Sequence, residues 1–413
     1  MKIVFVSNYI NHHQIPFCNA LRRKFKEDFV FIQTEPMEEE RKNMGWALNT
    51  DNISYVKNLF DETEKEECLR LISDCDVLIA GWMKDSTPVI KRMQQRKLTV
   101  RISERIYREG RWKFISPRGL VAKYKEHIRF RKYPVYLLCA GAYVASDFDL
   151  IKAYPGKKYK FGYFPETKKY HLDKLFAMKD STGIIEIMFA GRFMELKHPE
   201  YMVWLARDLY KENEKRIQHG EAPLPKFRIH MLGDGELDHP LRKMATEYGL
   251  LDTVMFYGFQ SPEKVRAVME RCHIFIFPSN ELEGWGAVVN EAMNSGCAVV
   301  GSSDAGAVPF LIRNWENGVI FPGNDYDRMK DAVRYLMTHG KEREEMAYKA
   351  YHTIVDQWNA DNVVETLLYM IDGWMNGLDH PPKEGPLSVA EVIAPKNMFR
   401  YIEEHGAGKE YDV

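Results

Sequence analysis

The chain has 413 residues, of which 45% are hydrophobic, 13% aromatic and 28% charged, and its 58 Lys and Arg against 59 Asp and Glu leave a formal net charge of -1. That length exceeds what one hydrophobic core serves and predicts two domains, and that apolar content excludes a disordered chain. A sum near zero gives no global attraction to nucleic acid or to an anionic membrane, although the charges are unevenly spread.

The first element is a short apolar strand, Ile3 to Val6, running into polar Ser7-Asn8. It is too short for the apolar region of a signal peptide. An amphipathic stretch from Ile15 to Phe25 leads to a second strand, Phe29 to Ile32. Further strand-like runs are Ile53 to Val56, Val77 to Ala80, Leu98 to Ile102 and Tyr136 to Val144, mostly separated by helix-length segments. Strands alternating with helices predict a parallel sheet covered on both faces. The longest mostly apolar run, Pro134 to Ala145, is far below the roughly 20 residues of a spanning helix. The chain therefore reads as soluble and cytoplasmic, at most held on the inner face of a membrane. The six cysteines, Cys18, Cys68, Cys75, Cys139, Cys272 and Cys297, are widely spaced with no Cys-x-x-Cys pair. They read as buried free thiols rather than a zinc ribbon or a disulfide scaffold.

The stretch from Phe164 to Ser181 lacks periodicity and is rich in Lys. It reads as a linker (166–182) between a first domain (1–165) and a second (183–360). In the second half the strand pattern restarts with Ile184 to Ala190, Phe227 to Leu232, Thr253 to Tyr257, Ile274 to Phe277 and Ala298 to Gly301. Helical patterns run from Tyr326 to Met337 and from Asn362 to Met375. Residues 361–413 are expected to form a helix and a tail that packs back on the first domain. In doubly wound sheets ligands bind at the carboxyl ends of the strands, where strand order reverses, so the residues just past each strand carry the functional information.

Past Phe277 the chain reads Pro278-Ser279-Asn280-Glu281-Leu282-Glu283-Gly284-Trp285-Gly286-Ala287, then a helix expected to start near Gly286. Glycines let backbone approach an anion closely, and a helix start favours one. Glu283 and Glu291 bracket this turn, and carboxylates accept hydrogen bonds from vicinal hydroxyls. Each is also readable alone as a solvated carboxylate. Past Ala190 come Gly191, Arg192 and Lys197, two cations where a diphosphate would lie. Past Leu232 comes Gly233-Asp234-Gly235-Glu236, with Asp238 in the third position of a dinucleotide fingerprint, which makes it a poor match to that motif.

Taken in order, Phe189-Ala190-Gly191-Arg192 with Lys197, Gly233-Asp234-Gly235, Phe256-Tyr257-Gly258-Phe259, the Glu283 to Glu291 motif, Cys297-Ala298-Val299-Val300-Gly301 and Asn317-Gly318 resemble the nucleotide-sugar domain of the GT-B glycosyltransferases of family GT4. The resemblance covers roughly Ile184 to Met337 closely and the first half in outline. It implies an α/β protein of GT-B fold, two doubly wound Rossmann-like domains facing a cleft, that transfers a sugar with retention and without a required metal. It further implies that Arg192 and Lys197 hold the donor diphosphate, Glu283 the donor sugar and Glu291 the ribose. Gly191, Gly233 and the backbone of Gly284, Trp285, Gly286 and Ala287 would lie along the phosphates, and Phe259 near the base. The nucleotide-sugar is a co-substrate rather than a cofactor, and family frequency favours a UDP-sugar. The acceptor would be a glycan or a lipid-linked glycan of cell-surface polysaccharide synthesis.

The first half departs from the family pattern. Many members carry a Gly-Gly loop after the first strand, where this chain has Ser7-Asn8-Tyr9-Ile10-Asn11-His12-His13-Gln14. Asn11, His12 and His13 are candidates for that place, with a helix cap for Asn11 and two surface histidines as the plain alternatives. A family histidine after a middle strand has no match, and Glu104 stands there as a candidate acceptor contact. Three Asp-x-Asp pairs occur, Asp74/Asp76, Asp147/Asp149 and Asp325/Asp327. The first precedes a strand and the last reads as a helix cap; Asp147/Asp149, after the Tyr136 to Val144 run, is the least easily dismissed, and no metal site is expected. A sugar-nucleotide epimerase and a non-catalytic glycan- or nucleotide-binding module are the competing readings.

From Lys91 to Lys132 fifteen Lys and Arg stand against Glu104, Glu109 and Glu126, a local net of +12 that leaves -13 for the remainder. Aromatic residues interleave. Such a stretch (91–132) fits an anionic membrane surface or a lipid-phosphate acceptor; nucleic acid would use the same residues, and a solvated basic helix is the plain account. No nucleic-acid partner is expected.

Overall fold

The computed structural model describes residues 1–38 and 53–405. The chain divides into one unit of residues 1–166 and 357–394 and another of residues 167–356 and 395–413. Each is built on a wholly parallel sheet.

The first sheet contains β1 (Ile3–Ser7), β2 (Phe29–Gln33), β3 (Val56–Asn58), β4 (Val77–Ala80), β5 (Thr99–Ser103), β6 (Val135–Ala140) and β7 (Lys158–Phe161), in the order β3-β2-β1-β4-β5-β6-β7. The order reverses between β1 and β4, which pair in parallel from Ile3↔Val77 to Val6↔Ala80. The central strands are buried on both faces, as parallel sheets require, and Val4, Val6, Leu78, Ala80, Leu137 and Phe148 share one core. The run Tyr136 to Val144, expected as one strand, is β6 followed by a turn and the helix Val144–Leu150. Gly141, at φ +128°, makes the break. The strand expected at Ile53 to Val56 begins only at Val56.

The second sheet contains β8 (Ile185–Ala190), β9 (Phe227–Leu232), β10 (Val254–Gly258), β11 (Ile274–Phe277), β12 (Ala298–Ser302) and β13 (Val319–Phe321), in the order β10-β9-β8-β11-β12-β13. Its reversal lies between β8 and β11, paired at Ile274↔Ile187. Two doubly wound α/β units are thus present, each with its own core.

The expected linker 166–182 is instead part of the second unit and contains the helix Leu172–Asp180. Its inner face buries Leu175 and Lys179, whose ammonium donates to the carbonyls of Met269 (3.2 Å) and Cys272. A lysine spent inward in this way mimics a solvated linker in sequence. The C-terminal segment also divides. The helix Ala360–Met375 and the chain to Ala394 belong to the first unit, where Trp374 stacks on Tyr136 at 4.0 Å and Lys160 N–H donates to Ser388 O at 2.8 Å. The helix Pro395–His405 belongs to the second, where Arg328 pairs with Glu403 at 3.1 Å and lies over Phe399. Residues 406–413, the end of the expected tail, lie outside the described residues. All six cysteines are buried and unpaired.

Two buried histidines make both units acid-sensitive. His127 lies 2.7 Å from Tyr154 Oη, and burial, helped by Arg101, pushes its pKa down to about 3. His273 accepts the Glu186 N–H at Nδ1 (3.0 Å), and burial, helped by Arg343, lowers its pKa to about 4. Both fold neutral, so unfolded chains bind more protons below the ordinary value near 6.5. Stability is full above that pH and falls as pH drops toward the folded values, by about 1.4 kcal/mol per pH unit for each histidine. Urea unfolding between pH 7.5 and 4.5 should show this loss, and His127→Gln should make the slope shallower for the first unit. An equal slope in that variant would refute the assignment.

Candidate functional site

The carboxyl ends of β8 and β11 flank the reversal of the second sheet, and the loops leaving them converge. The short 3-10 turn Glu195–Lys197 follows β8 and presents Lys197. The Lys197 ammonium forms an ion pair with the carboxylate of Glu283 from the loop after β11, both largely buried. The same ammonium sits 5.4 Å from the centre of the Phe277 ring. Backbone ties the two loops together, since Asn280 N–H donates to Leu196 O at 2.9 Å. Gly286, at φ +92°, packs against that ring as well; a Cβ there would lie 2.5 Å from Phe277. Phe277 is therefore the floor on which a cation, a carboxylate and a glycine turn are assembled.

Beside it the ends of β8, β9 and β10 interlock through backbone alone. Gly191 N–H donates to Leu232 O and Gly233 N–H to Gly258 O, both at 3.0 Å, and Phe193 N–H donates to Asp234 O at 2.9 Å. Gly233 (φ +146°) touches the Gly191 carbonyl so closely that a Cβ would stand 1.9 Å from its oxygen. Phe259 follows β10 and is 56% exposed. Arg192 is exposed beside this lattice and forms no ion pair with any described residue.

Other expected residues stand apart from the ion pair. The helix begins at Val288 rather than near Gly286 and has seven residues, so Glu291 lies in its first turn. Its backbone carbonyl accepts from Ser295 Oγ at 2.8 Å, and its carboxylate is not part of the Lys197–Glu283 pair. Burial pushes its pKa up, against the pull of Arg266 and Lys168. Trp285, between Gly284 and Gly286, turns its side chain into the core, where it is 1% exposed and Nε1 donates to Asn290 Oδ1 at 2.9 Å. Only its backbone can belong to a site; its carbonyl accepts from Ala307 N–H at 3.0 Å. Ala287 immediately precedes the helix.

In the first unit the reversal lies between β1 and β4, and Asn8 N–H donates there to Trp82 O at 2.7 Å. Asn11 Oδ1 accepts the His13 N–H at 3.0 Å, so Asn11 does act as a local turn cap. His13 stacks at 6.1 Å on Tyr163, and Tyr163 Oη donates to Glu104 Oε1 at 2.5 Å. His13 and Glu104 are thus joined through Tyr163, which follows β7 and which nothing in the sequence singled out, while Asn11 is tied only to its neighbour His13. Burial, with His12 alongside, pushes the His13 pKa down to about 3, so the ring is neutral. Burial and the Glu104 carboxylate push the Tyr163 phenol well up.

Each Asp-x-Asp pair has structural partners. Asp76 accepts the Lys2 N–H at 2.7 Å, and Asp325 caps its helix by accepting Arg328 N–H at 3.0 Å. Asp147 is fully buried and accepts from Arg105 Nε (3.3 Å) and Tyr107 N–H (3.1 Å), while Asp149 pairs with Lys158 at 3.2 Å. The basic stretch is similarly divided. Arg92 is buried and donates to the carbonyls of Ile72, Ser73, Asp76 and Leu98 at 2.9–3.1 Å, and Arg101 donates to Glu126 O at 3.2 Å. Part of the +12 therefore holds the first unit together rather than facing a partner.

Residues 178–353 match the family model of glycosyl transferases group 1. Among curated proteins the chain is similar to the lipopolysaccharide core biosynthesis glycosyltransferase LpsE of Rhizobium meliloti, at 27% identity over 185 residues, 45% of this chain and 49% of that protein. It is also similar to a GDP-mannose-dependent alpha-(1-6)-phosphatidylinositol monomannoside mannosyltransferase of Mycobacterium tuberculosis, at 26% identity over 149 residues, 35% of this chain and 38% of that protein. The chain spans half or less of the length of these relatives. Among solved structures, that of HepE from Anabaena in complex with UDP aligns with a TM-score of 0.64 and 14% identity, covering 89% of this chain and 100% of that one. The fold is the GT-B type, two Rossmann-like α/β units.

Proposed function

We propose that the chain, whose residues 178–353 match the model of the group 1 glycosyl transferases, is a retaining, metal-independent hexosyltransferase of the GT4 type that moves a sugar from a nucleotide-sugar to a glycan or lipid-linked acceptor in cell-surface polysaccharide synthesis, on the cytoplasmic side. The observation that carries this reading is the Lys197–Glu283 ion pair at the reversal point of the second sheet. Ligands of doubly wound sheets bind at that point. A diphosphate there draws on Lys197 and Arg192 for charge, and Glu283 accepts hydrogen bonds from sugar hydroxyls.

In the reaction the bond from the sugar anomeric carbon to the donor phosphate oxygen breaks. A bond to the acceptor oxygen forms on the same face, and the acceptor proton passes to the departing phosphate. Two cations at the diphosphate stabilise charge that grows as the bond breaks, which is where electrostatic catalysis is strongest. Glu291 is assigned to the ribose hydroxyls and Phe259 to the base. Gly191, Gly233, Gly284, Gly286 and Ala287 provide backbone along the phosphates. Asn11, with His13 and Glu104 on Tyr163, is assigned to acceptor contact in the first unit.

A UDP-sugar is the favoured donor, supported by the UDP held by HepE; the mycobacterial relative's GDP-mannose is the contrasting option. A thermal-shift series with UDP-, GDP- and ADP-sugars tests the donor. The matching one, at 100 times its dissociation constant, adds about 2.7 kcal/mol, which raises Tm by about 5–10 °C for a unit of this size. No shift with any nucleotide-sugar would remove the donor reading. Release of a free epimerised sugar nucleotide would favour an epimerase instead.

A further inference from the structure

The helix Pro117–Glu126 is inside out. Ser116 Oγ caps it by accepting Gly119 N–H, and Pro117 begins it, as helix starts favour. None of its residues is buried, and neither is any residue of the preceding turn Arg111–Ile115. The stripe turned toward the protein is Gly119, Lys123 and Glu126. Glu126 Oε2 lies 3.5 Å from His127 Nε2, and burial pushes the Lys123 pKa down. The apolar residues take the outer face at helical spacing: Leu120 is 36% exposed, Val121 55% and Tyr124 56%. Trp112 (70%) and Ile115 (65%) of the turn are exposed with them. An ordinary surface helix buries its apolar stripe, so this face is built for something outside the chain.

The charges around it select the partner. Arg118 and Lys125 flank Val121 on the outer surface, and Arg108 and Lys113 lie in the approach to the helix. The approach cations are answered by acids, Lys113 by Glu109 and Arg108 by Glu104 at 3.9 Å, which leaves Arg118 and Lys125 as the outward-facing charges. A second copy of the same face would set cation against cation, which disfavours self-association. Apolar and aromatic side chains ringed by Lys and Arg match an anionic bilayer surface, where the rings sit at the headgroup level and each cation adds attraction.

We propose that residues 108–126 dock the protein on an anionic lipid surface, with Trp112, Ile115, Leu120, Val121 and Tyr124 entering the headgroup region and Arg118 and Lys125 contacting lipid phosphates. The docking is independent of the donor chemistry, and it places a transferase for lipid-linked acceptors at the surface that holds them.

Co-sedimentation of the full chain with vesicles of phosphatidylcholine and phosphatidylglycerol in equal parts tests this. The protein should bind at low salt, bind weakly to phosphatidylcholine alone, and release as salt rises. A Leu120→Ser, Val121→Ser, Tyr124→Ser variant and, separately, an Arg118→Glu, Lys125→Glu variant should each lose at least about ten-fold in partitioning. All five positions are exposed, so both variants should keep the wild-type Tm and the donor-induced shift, which separates failure of docking from failure of the donor reading. Wild-type protein that ignores anionic vesicles, binds neutral ones equally, or binds no better than both variants overturns the proposal. So does a solution dimer that the serine variant returns to monomer without any effect on vesicle binding.

Discussion

Lys197→Ala lowers kcat for sugar transfer by about 10²–10³, the usual loss when one preorganised charge is removed from a departing anion. The KM for the donor should change far less, because the ammonium matters most as the phosphate gains charge. Its position is set by backbone: Lys197 N–H donates to Met194 O at 2.9 Å, and Leu196 O holds the neighbouring loop through Asn280. The alanine variant therefore keeps the turn and removes only the charge. It also strips the part-buried Glu283 carboxylate of its cation. Glu283→Gln should in turn lower transfer, through the sugar contact and the loss of the anchor for Lys197. Because the two residues form one ion pair, the double variant should be little worse than Lys197→Ala. Steady-state kinetics of the two singles and the double close the cycle. Full additivity would mean that the pair does not act as a unit, and a kcat for Lys197→Ala within a few-fold of wild type would remove Lys197 from the reaction.

The residues of this pair were visible in the sequence, but the pairing was not. Lys197 and Glu283 are 86 positions apart, and only the strand order β8-β11 brings their loops together. What sequence does carry is the punctuation at strand ends, because Gly233 and Gly286 sit at positive φ with no room for a Cβ. Trp285 illustrates the limit: its glycine neighbours mark the turn, yet its own side chain is core, which a motif cannot tell. Glu104 and His13 were candidates for separate reasons, and the tyrosine that joins them was missed with β7. That strand reads Lys-Tyr-Lys-Phe, and Lys158 is buried by reaching Asp149 at 3.2 Å. Lys179 misled for the same reason. Long side chains can bury their stems while satisfying the charge at one end, so lysine-rich stretches are read as solvent-exposed when they are not. The break after β6 was hidden by an apolar run that continues from strand into helix, with Gly141 as the only sign.

Gly233→Ala should be the most damaging single methyl group in the second unit. The new Cβ would stand 1.9 Å from Gly191 O and 2.9 Å from Gly191 C, and it would have to adopt φ +146°. Overpacking against backbone costs about 1–3 kcal/mol, and a conformation reserved for glycine adds about 1–3 kcal/mol. Neither neighbour can give way easily, because Gly191 N–H is bonded to Leu232 O and Gly233 N–H to Gly258 O. A loss of about 3 kcal/mol lowers Tm by about 6–12 °C for a unit of this size. Relief would have to push the Gly191 loop outward, carrying Arg192 away from the donor, so the donor-induced thermal shift should shrink as well. Gly258→Ala is the matched control. Its φ is +67° with nothing within 4 Å of the added Cβ, so only the left-handed backbone penalty of about 1–2 kcal/mol applies. If the two variants melt together, the contact between the β8 and β9 loops is not the constraint that holds the phosphate side of the site. If Gly233→Ala melts much earlier yet binds donor as wild type, the Gly191 loop serves the fold and not the ligand.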